Sequence, residues 1–249
     1  MIQKISLLIF IFIHCTIAVS QESSSYIHSV SKKSIKSFEL KEGVQNTFFK
    51  MTNNRKWPMM VSVPKISNNQ KVNLVLALHW GVNSSSYDEF MNCLVLPAFG
   101  TEKYLIVAPD SNHSPWWVDP KETQLIKLIK SIKENWPIDK VIVTGYSDGG
   151  TGSFYMAKNH PDVFDGAIAL AGSYGSAKKI DIPTYFIHGV GDQLFSYTRT
   201  KNIVSEIQEN SNNIEFITTN KLTHYEACQY VELLKDGIKW MEEKLELSF

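Results

Sequence analysis

The sequence predicts an α/β fold, with a mainly parallel central sheet that is covered by helices on both faces. Apolar runs of strand length recur along the chain, and amphipathic helical patterns fall between them. The central runs are continuously apolar rather than alternating, which is typical of strands that are buried on both sides. The 249 residues are enough for one such domain.

The strand candidates fall into two groups. Three early segments separated by turn residues predict an antiparallel lead-in, at 37–43, 46–52 and 59–64. Six further segments predict the central strands, at 72–79, 104–109, 140–146, 166–172, 182–188 and 214–219.

The helix candidates lie between these strands. The clearest is 122–136, where Leu125, Leu128, Ile129, Ile132 and Trp136 follow helical spacing and lysines occupy the other face. Similar patterns occur at 197–210 and 226–245, and a weaker one at 84–99. Only nine residues separate the strands at 166–172 and 182–188, so no helical cap domain is expected there.

The amino-acid composition argues against several classes of binding partner and cofactor. Lys+Arg and Asp+Glu both number 25, so the net charge is zero, and neither nucleic acid nor an anionic membrane is expected as a partner. The histidines are scattered and no C-x-x-C occurs, so we expect neither a metal site nor a cofactor.

The N-terminus is typical of a secretory signal peptide. Lys4 precedes the apolar run 5–19, and Ala18 and Ser20 supply small residues for cleavage after position 20. An uncleaved anchor is the alternative, although the run is short for a membrane span. We therefore predict a signal peptide at 1–20, a polar leader at 21–35 and one catalytic domain at 36–249. The mature protein would then be secreted or extracytoplasmic, without stable membrane insertion.

Cleavage after Ser20 would leave Cys93 and Cys228. In an oxidising compartment they could pair, but two buried free thiols fit the sequence equally well.

A candidate nucleophile lies between a strand and a helix. Residues 145–149, GYSDG, match the pattern G-x-S-x-G. A serine at this position stands on a strained turn at the carboxyl end of the sheet, and flanking glycines avoid side-chain collisions within that turn. Ser147 is therefore the predicted nucleophile, and a simple glycine-rich turn is the alternative.

A serine hydroxyl needs a histidine base that is oriented by a carboxylate. In this class of fold the acid and then the histidine follow the serine, each just beyond a later strand. Asp192 and His224 lie in loops that meet both conditions. Asp165 and Asp181 precede their strands and so fall at the wrong end of the sheet, while His188 is expected to support the turn around Asp192.

The tetrahedral intermediate needs hydrogen-bond donors for its oxyanion. One is the N–H after the nucleophile, on Asp148, and the second comes from the loop after the strand at 72–79. Gly81 is the first candidate for that donor and Trp80 the second, while His79 is expected to brace an adjacent loop.

Together these motifs resemble the α/β-hydrolase superfamily. The segments LALHWG, APDS with WW, GYSDGG, HPDVFDGAIALAGSY, HGVGDQLF and THYEAC occur in family order over about residues 60–245. The most similar branch is the compact esterases, of the polyhydroxybutyrate depolymerase/feruloyl esterase or phospholipase/carboxylesterase type. The resemblance implies Ser147 as nucleophile, Asp192 as acid and His224 as base, with the Gly81 and Asp148 amides as oxyanion donors. Trp80 stands where the family usually has glycine.

Aromatic residues in the loops near the site predict an open cleft suited to an aryl, short-chain or polymer-borne ester. The candidate substrate-binding residues are Trp116, Trp117, Tyr174, Phe195 and Tyr225, and packing in the core is the alternative for about half of them. Cations are sparse in these loops apart from Arg199, so no clamp for a strongly anionic substrate is expected.

Three functions fit these features. The leading one is a secreted serine esterase that works through an acyl-enzyme. A peptidase of prolyl-oligopeptidase type would use the same triad, and a binding protein on a hydrolase scaffold would have lost catalysis. The oligomeric state is left open.

Overall fold

The structure, a computed structural model, describes residues 41–51, 55–67, 70–81 and 84–249. The predicted signal peptide, the predicted leader and most of the strand candidate at 37–43 lie outside the described residues. Cleavage after Ser20 therefore stays a prediction.

The described residues form an eight-stranded sheet in the spatial order β1-β2-β4-β3-β5-β6-β7-β8. Its strands are β1 Gly43–Lys50, β2 Lys56–Val63, β3 Val72–Leu78, β4 Tyr104–Pro109, β5 Ile138–Tyr146, β6 Gly166–Leu170, β7 Thr184–Gly189 and β8 Ile214–Thr219. β2 runs antiparallel to both β1 and β4, and the other neighbouring pairs are parallel. The predicted antiparallel lead-in and mainly parallel sheet are confirmed.

The helices fall between the strands, as predicted. They are α1 Tyr87–Phe90, α2 Leu96–Phe99, α3 Lys121–Asn135, α4 Asp148–Asn159, α5 Tyr197–Asn210 and α6 Val231–Leu245. The weak candidate at 84–99 is helical but irregular, because a π-helical turn at Met91–Val95 separates α1 from α2. The candidate at 226–245 begins with a 3₁₀ turn, Ala227–Tyr230. No helix in the described part of the chain is long and apolar enough to cross a membrane.

Two hydrophobic clusters cover the two faces of the sheet. Alternate residues of β3 face opposite sides, so Leu74 and Leu76 pack with α3, α4 and α5, whereas Val75 and Ala77 pack with α1, α2 and α6. Because both faces are covered, β3 is buried along its whole length. The core thereby holds the carboxyl ends of the central strands in fixed positions.

The connection from β6 to β7 is a short loop without a helix. Residues 171–183, all of which the structure describes, contain no helix. No cap domain is inserted here, as predicted.

Cys93 and Cys228 form a disulfide across 135 residues of sequence. Cys93 lies in the π-helical turn between α1 and α2, and Cys228 lies in the 3₁₀ turn before α6. The bridge therefore ties the segment after β3 to the segment after β8, and it decides between the two alternatives that the sequence left open.

Removing the bridge should cost stability. We expect Cys93→Ala/Cys228→Ala to lower the free energy of unfolding by about 2–5 kcal/mol, because the unfolded chain regains the entropy of a long closed loop. Urea unfolding measures this, and wild type under dithiothreitol is the matched control, since it should match the double variant. An unchanged urea midpoint in both would contradict a stabilising bridge.

Candidate active site

Ser147 lies at the junction of β5 and α4, in a conformation that L-residues rarely adopt. Its φ is 56° and its ψ is −117°, and its N–H donates to the Leu170 carbonyl oxygen at 3.0 Å. Such a backbone costs on the order of 1–3 kcal/mol and persists only where the surroundings impose it. The turn lifts the Ser147 side chain off the end of the sheet.

Glycines make this turn possible because α4 lies directly against the backbone of the sheet. A Cβ on Gly149 would collide with the carbonyl oxygen of Leu78, and one on Gly150 would collide with that of Leu170. A Cβ on Gly145 would collide with the carbonyl oxygen of Gly149. The glycines flanking the serine thus permit an approach between backbones that no side chain allows.

The structure brings the three predicted triad residues into one line. The Ser147 Oγ lies 2.9 Å from the His224 Nε2, and the His224 Nδ1 lies 2.8 Å from the Asp192 Oδ2. Ser147 and His224 are 8% and 6% exposed, and the Asp192 side chain is fully buried. Because the ionised Asp192 carboxylate can only accept a hydrogen bond, the proton of His224 lies on Nδ1. The Nε2 is then unprotonated and can accept the proton of the Ser147 hydroxyl.

Backbone donors hold the Asp192 carboxylate in place. Its Oδ1 accepts hydrogen bonds from the N–H groups of Leu194 at 2.8 Å and Phe195 at 2.7 Å. Burial by itself would raise the pKa of Asp192, but the hydrogen bonds from His224 and from these N–H groups outweigh it and lower that pKa. The acid is thereby kept ionised.

His188 supports the acid loop from beneath. It is fully buried, and its Nε2 lies 3.0 Å from the Phe195 carbonyl oxygen and 3.5 Å from the Asp192 Oδ2. Since a carbonyl oxygen can only accept, the Nε2 carries the proton, and the Nδ1 has no hydrogen-bond partner among the described residues. Burial lowers the pKa of His188, so this imidazole is neutral.

Two side chains that the sequence analysis missed anchor the histidine loop. The Tyr146 hydroxyl donates to the His224 carbonyl oxygen at 2.8 Å, and the His224 N–H donates to the Gln193 side-chain oxygen at 3.2 Å. The Cys228 disulfide follows four residues later in sequence. The sequence feature that could have identified Tyr146 is its position directly before Ser147.

A cleft of about 420 Å³ lies beside Ser147, and we call it the first cleft. Trp80, Gly81 and Asp148 all line it beside the serine and the histidine. His79 braces this corner, as expected, because its Nδ1 donates to the Trp80 carbonyl oxygen at 2.7 Å and its Nε2 accepts from the Ser111 N–H at 3.0 Å. Gly81 has a φ of 72°, where a side chain would be strained.

A second cleft, of about 540 Å³, adjoins the first at Asp148, which lines both. Of the predicted substrate-binding residues, Trp117 and Phe195 line the second cleft and Tyr225 lines the first. Tyr225 is 71% exposed and forms the rim.

Two substrate-binding predictions are corrected by the structure. Trp116 is 1% exposed, and its Nε1–H donates to the His79 carbonyl oxygen at 3.0 Å. Tyr174 is 2% exposed, and its hydroxyl donates to the Ala169 carbonyl oxygen at 3.1 Å. Both rings pack in the core below the clefts, because each polar group finds a backbone acceptor there.

Asp165, one of the two aspartates that the sequence analysis rejected as the catalytic acid, lies near the opposite end of β5 from Ser147. Asp165 accepts a hydrogen bond from the Val141 N–H at 2.8 Å, near the amino end of β5, and lies 3.6 Å from the Lys140 ammonium. Its role is to hold the chain before β6, away from Ser147.

The described residues contain no group of three metal-ligating side chains.

Comparison with known proteins gives a family and a fold. Residues 107–241 match the family model described as Phospholipase/Carboxylesterase. A search of curated protein sequences gives no match.

Three solved structures are similar to this chain. A thermostable esterase has a TM-score of 0.67 and 19% identity, over 81% of this chain and 62% of that one. An S-formylglutathione hydrolase of Staphylococcus aureus has a TM-score of 0.66 and 14% identity, over 80% of this chain and 96% of that one. An esterase of Pyrococcus furiosus has a TM-score of 0.65 and 16% identity, over 82% and 94%. The chain thus spans less than two thirds of the thermostable esterase, and identities this low show the shared fold.

The close approach of α4 to the sheet can be tested at one position. We expect Gly149→Ala to lower the free energy of unfolding by more than about 3 kcal/mol, or to prevent folding, because the new methyl group collides with backbone that cannot move aside. Gly175→Ala is the matched control, since a Cβ there meets no atom within 4 Å. Thermal unfolding compares the two, and equal stability would show that α4 can shift outward.

Proposed function

Since this chain belongs to the phospholipase/carboxylesterase family, we propose that it is a serine hydrolase that cleaves carboxylic esters through an acyl-enzyme on Ser147. The observation that supports this most directly is the unbroken line from the Ser147 Oγ through His224 to Asp192, with hydrogen bonds of 2.9 and 2.8 Å. This geometry supports the proposed roles of Ser147 as nucleophile, His224 as base and Asp192 as acid.

Acylation begins when the Ser147 Oγ attacks the ester carbonyl carbon. The His224 Nε2 takes the hydroxyl proton, and the resulting imidazolium is stabilised by Asp192 through the Nδ1–H. The tetrahedral intermediate collapses when the bond to the alcohol oxygen breaks. His224 returns its proton to that oxygen, the alcohol leaves, and the acyl group stays on Ser147.

Deacylation repeats the sequence with water. His224 takes a proton from a water molecule, whose oxygen attacks the acyl carbon, and the second tetrahedral intermediate releases the carboxylic acid as Ser147 regains its proton. The same base serves both half-reactions, because each step returns it to the neutral form.

The backbone supplies the oxyanion donors. The N–H of Asp148 is at the start of α4, where the helix dipole favours negative charge, and Gly81, the candidate for the second donor, also lines the first cleft. A single lost donor would raise the barrier by about 3–4 kcal/mol. Trp80, next to Gly81 in sequence, lines the same cleft.

The two clefts suit the two halves of an ester. They adjoin at Asp148, beside the nucleophile, so one can hold the acyl group while the other holds the alcohol. The rim includes large exposed apolar side chains, since Leu194 is 54% and Tyr225 is 71% exposed. Exposed apolar side chains at the rim favour aryl or aliphatic esters, including esters on a polymer surface.

The disulfide supports an extracytoplasmic location. A bridge such as Cys93–Cys228 persists in oxidising compartments and is rare in the cytosol. Together with the predicted signal peptide at 1–20, it supports secretion of the mature enzyme.

The nucleophile is tested by labelling with a fluorophosphonate probe. We expect the wild-type protein to be labelled and Ser147→Ala to remain unlabelled while keeping its fold, because the probe forms a bond only with an activated serine. Circular dichroism provides the folding control. A folded wild type without labelling would support the alternative of a non-catalytic binding protein.

Substrate class is tested with a panel of p-nitrophenyl esters beside aminoacyl anilides. The wild-type protein is expected to turn over the esters, with the larger kcat/KM for apolar acyl groups that fill the clefts. Turnover of the anilides alone would contradict the esterase proposal and favour the alternative of a peptidase.

The acid is tested by a matched pair of variants. We expect Asp192→Asn to fold and to lose about ten-thousand-fold in kcat, because an amide no longer holds His224 in the required tautomer. Asp165→Asn should keep its activity, since the amide oxygen can still accept from the Val141 N–H. Equal losses in the two variants would show that the acid is misassigned.

A further inference from the structure

A third pocket, lined by cationic side chains, lies where β2 and α3 begin. Its volume is about 420 Å³, and its lining includes Arg55, Lys56, Trp57, Lys121 and Gln124. It shares no lining residue with either cleft beside Ser147. We call it the lysine pocket.

Lys121 is buried without a matching counter-charge. It is 2% exposed, and its ammonium donates one long hydrogen bond, of 3.3 Å, to the Asp110 carbonyl oxygen. The Trp57 ring centroid lies 4.7 Å away. An ammonium carries three N–H donors, and no described carboxylate forms an ion pair with this one. A buried charge with so few partners is costly unless a ligand completes it.

The nearest acid is already engaged. The Asp110 carboxylate accepts from the Ser85 hydroxyl at 2.6 Å and from the Asn112 N–H at 2.8 Å. Burial lowers the pKa of Lys121 to about 8, and the attraction of Asp110 offsets this only in part. Near neutral pH the side chain is therefore still charged but poorly compensated.

A second buried group faces the same space. Gln124 lies one turn further along α3 and is 8% exposed, and its side-chain amide has no hydrogen-bond partner among the described residues. The backbone N–H groups at the start of α3 are already bonded to Val118, Asp119 and Pro120. Donors for a ligand must therefore come from side chains.

The charge of the lining indicates which ligand fits. Arg55 and Lys56 add two further cations, and none of the described residues that line the pocket is acidic. We propose that the lysine pocket binds an oxyanion, a carboxylate or phosphate group, through the Lys121 ammonium and the Gln124 amide, with Arg55 and Lys56 adding to the positive potential. The anion is either free in solution or a distant part of the ester substrate.

The proposal is tested by titrating inorganic phosphate into the full protein in a calorimeter, at constant ionic strength. We expect saturable binding by wild type and by Ser147→Ala alike, so the result does not depend on the proposed esterase. Lys121→Met should abolish binding without lowering the thermal midpoint in the absence of phosphate, because a buried uncompensated charge is removed. Gln124→Leu should weaken binding at least about tenfold, the loss expected for one hydrogen bond to a charged group.

The matched control is Lys130→Met. Lys130 lies on the same helix, but its side chain is 57% exposed and pairs with Asp162 at 3.8 Å. Its loss should leave phosphate binding unchanged. Equal binding by wild type and Lys121→Met, or no binding by wild type of phosphate, sulfate and succinate in turn, would overturn the proposal.

The pH dependence provides a further check. Phosphate binding by wild type should weaken as the pH rises past about 8, where Lys121 loses its proton. Lys121→Arg should stay charged and show a weaker decline, although Arg55 and Lys56 line the pocket and Asp110 lies close to position 121 in both proteins. Identical pH profiles would exclude Lys121 as the anion contact.

A last comparison separates the two sources of the anion. It uses p-nitrophenyl esters whose acyl chain ends either in a carboxylate or in its methyl ester. A preference for the carboxylate that disappears in Lys121→Met assigns the pocket to the substrate. Phosphate binding without such a preference assigns it to a free anion.

Discussion

The direct contact between the backbone of α4 and the ends of β3 and β6 is the constraint on which the site depends. Gly149 and Gly150 let the helix start against the carbonyl groups of Leu78 and Leu170, where any side chain would collide. This approach forces Ser147 into a left-handed conformation and presents its hydroxyl above the sheet. It also places the positive end of the helix dipole beside Ser147, the proposed nucleophile, where the proposed mechanism develops negative charge.

The other two residues of the proposed triad lie on loops, and separate contacts hold each loop. Backbone N–H groups and His188 fix Asp192, while Tyr146, Gln193 and the disulfide after it hold the loop of His224. The protein's own contacts therefore hold the hydrogen-bonded line through His224. Such preorganisation is where most of the electrostatic stabilisation in this kind of catalysis originates, because no group has to reorient during the reaction.

A balanced composition conceals an uneven distribution of charge. The net charge of zero and the few cations near the triad gave no reason to expect an anion site. Folding brings Lys121 from the start of α3 together with Arg55 and Lys56 from the start of β2, and it buries the first of them. The exposed apolar side chains at the rim beside Ser147 and the lysine pocket thus present opposite chemistry on one small domain.

By itself the sequence determined the α/β class, most of the central strands and the order of Ser147, Asp192 and His224. These features follow from local patterns: apolar runs, a glycine-bracketed serine, and loops that come directly after strands. Only the tertiary structure decided that Cys93 pairs with Cys228, that Trp116 and Tyr174 pack in the core while Trp117 lines a cleft, and that Lys121 is buried. The reason is that burial and pairing depend on which distant segments pack together, and a local pattern carries no information about its neighbours in space.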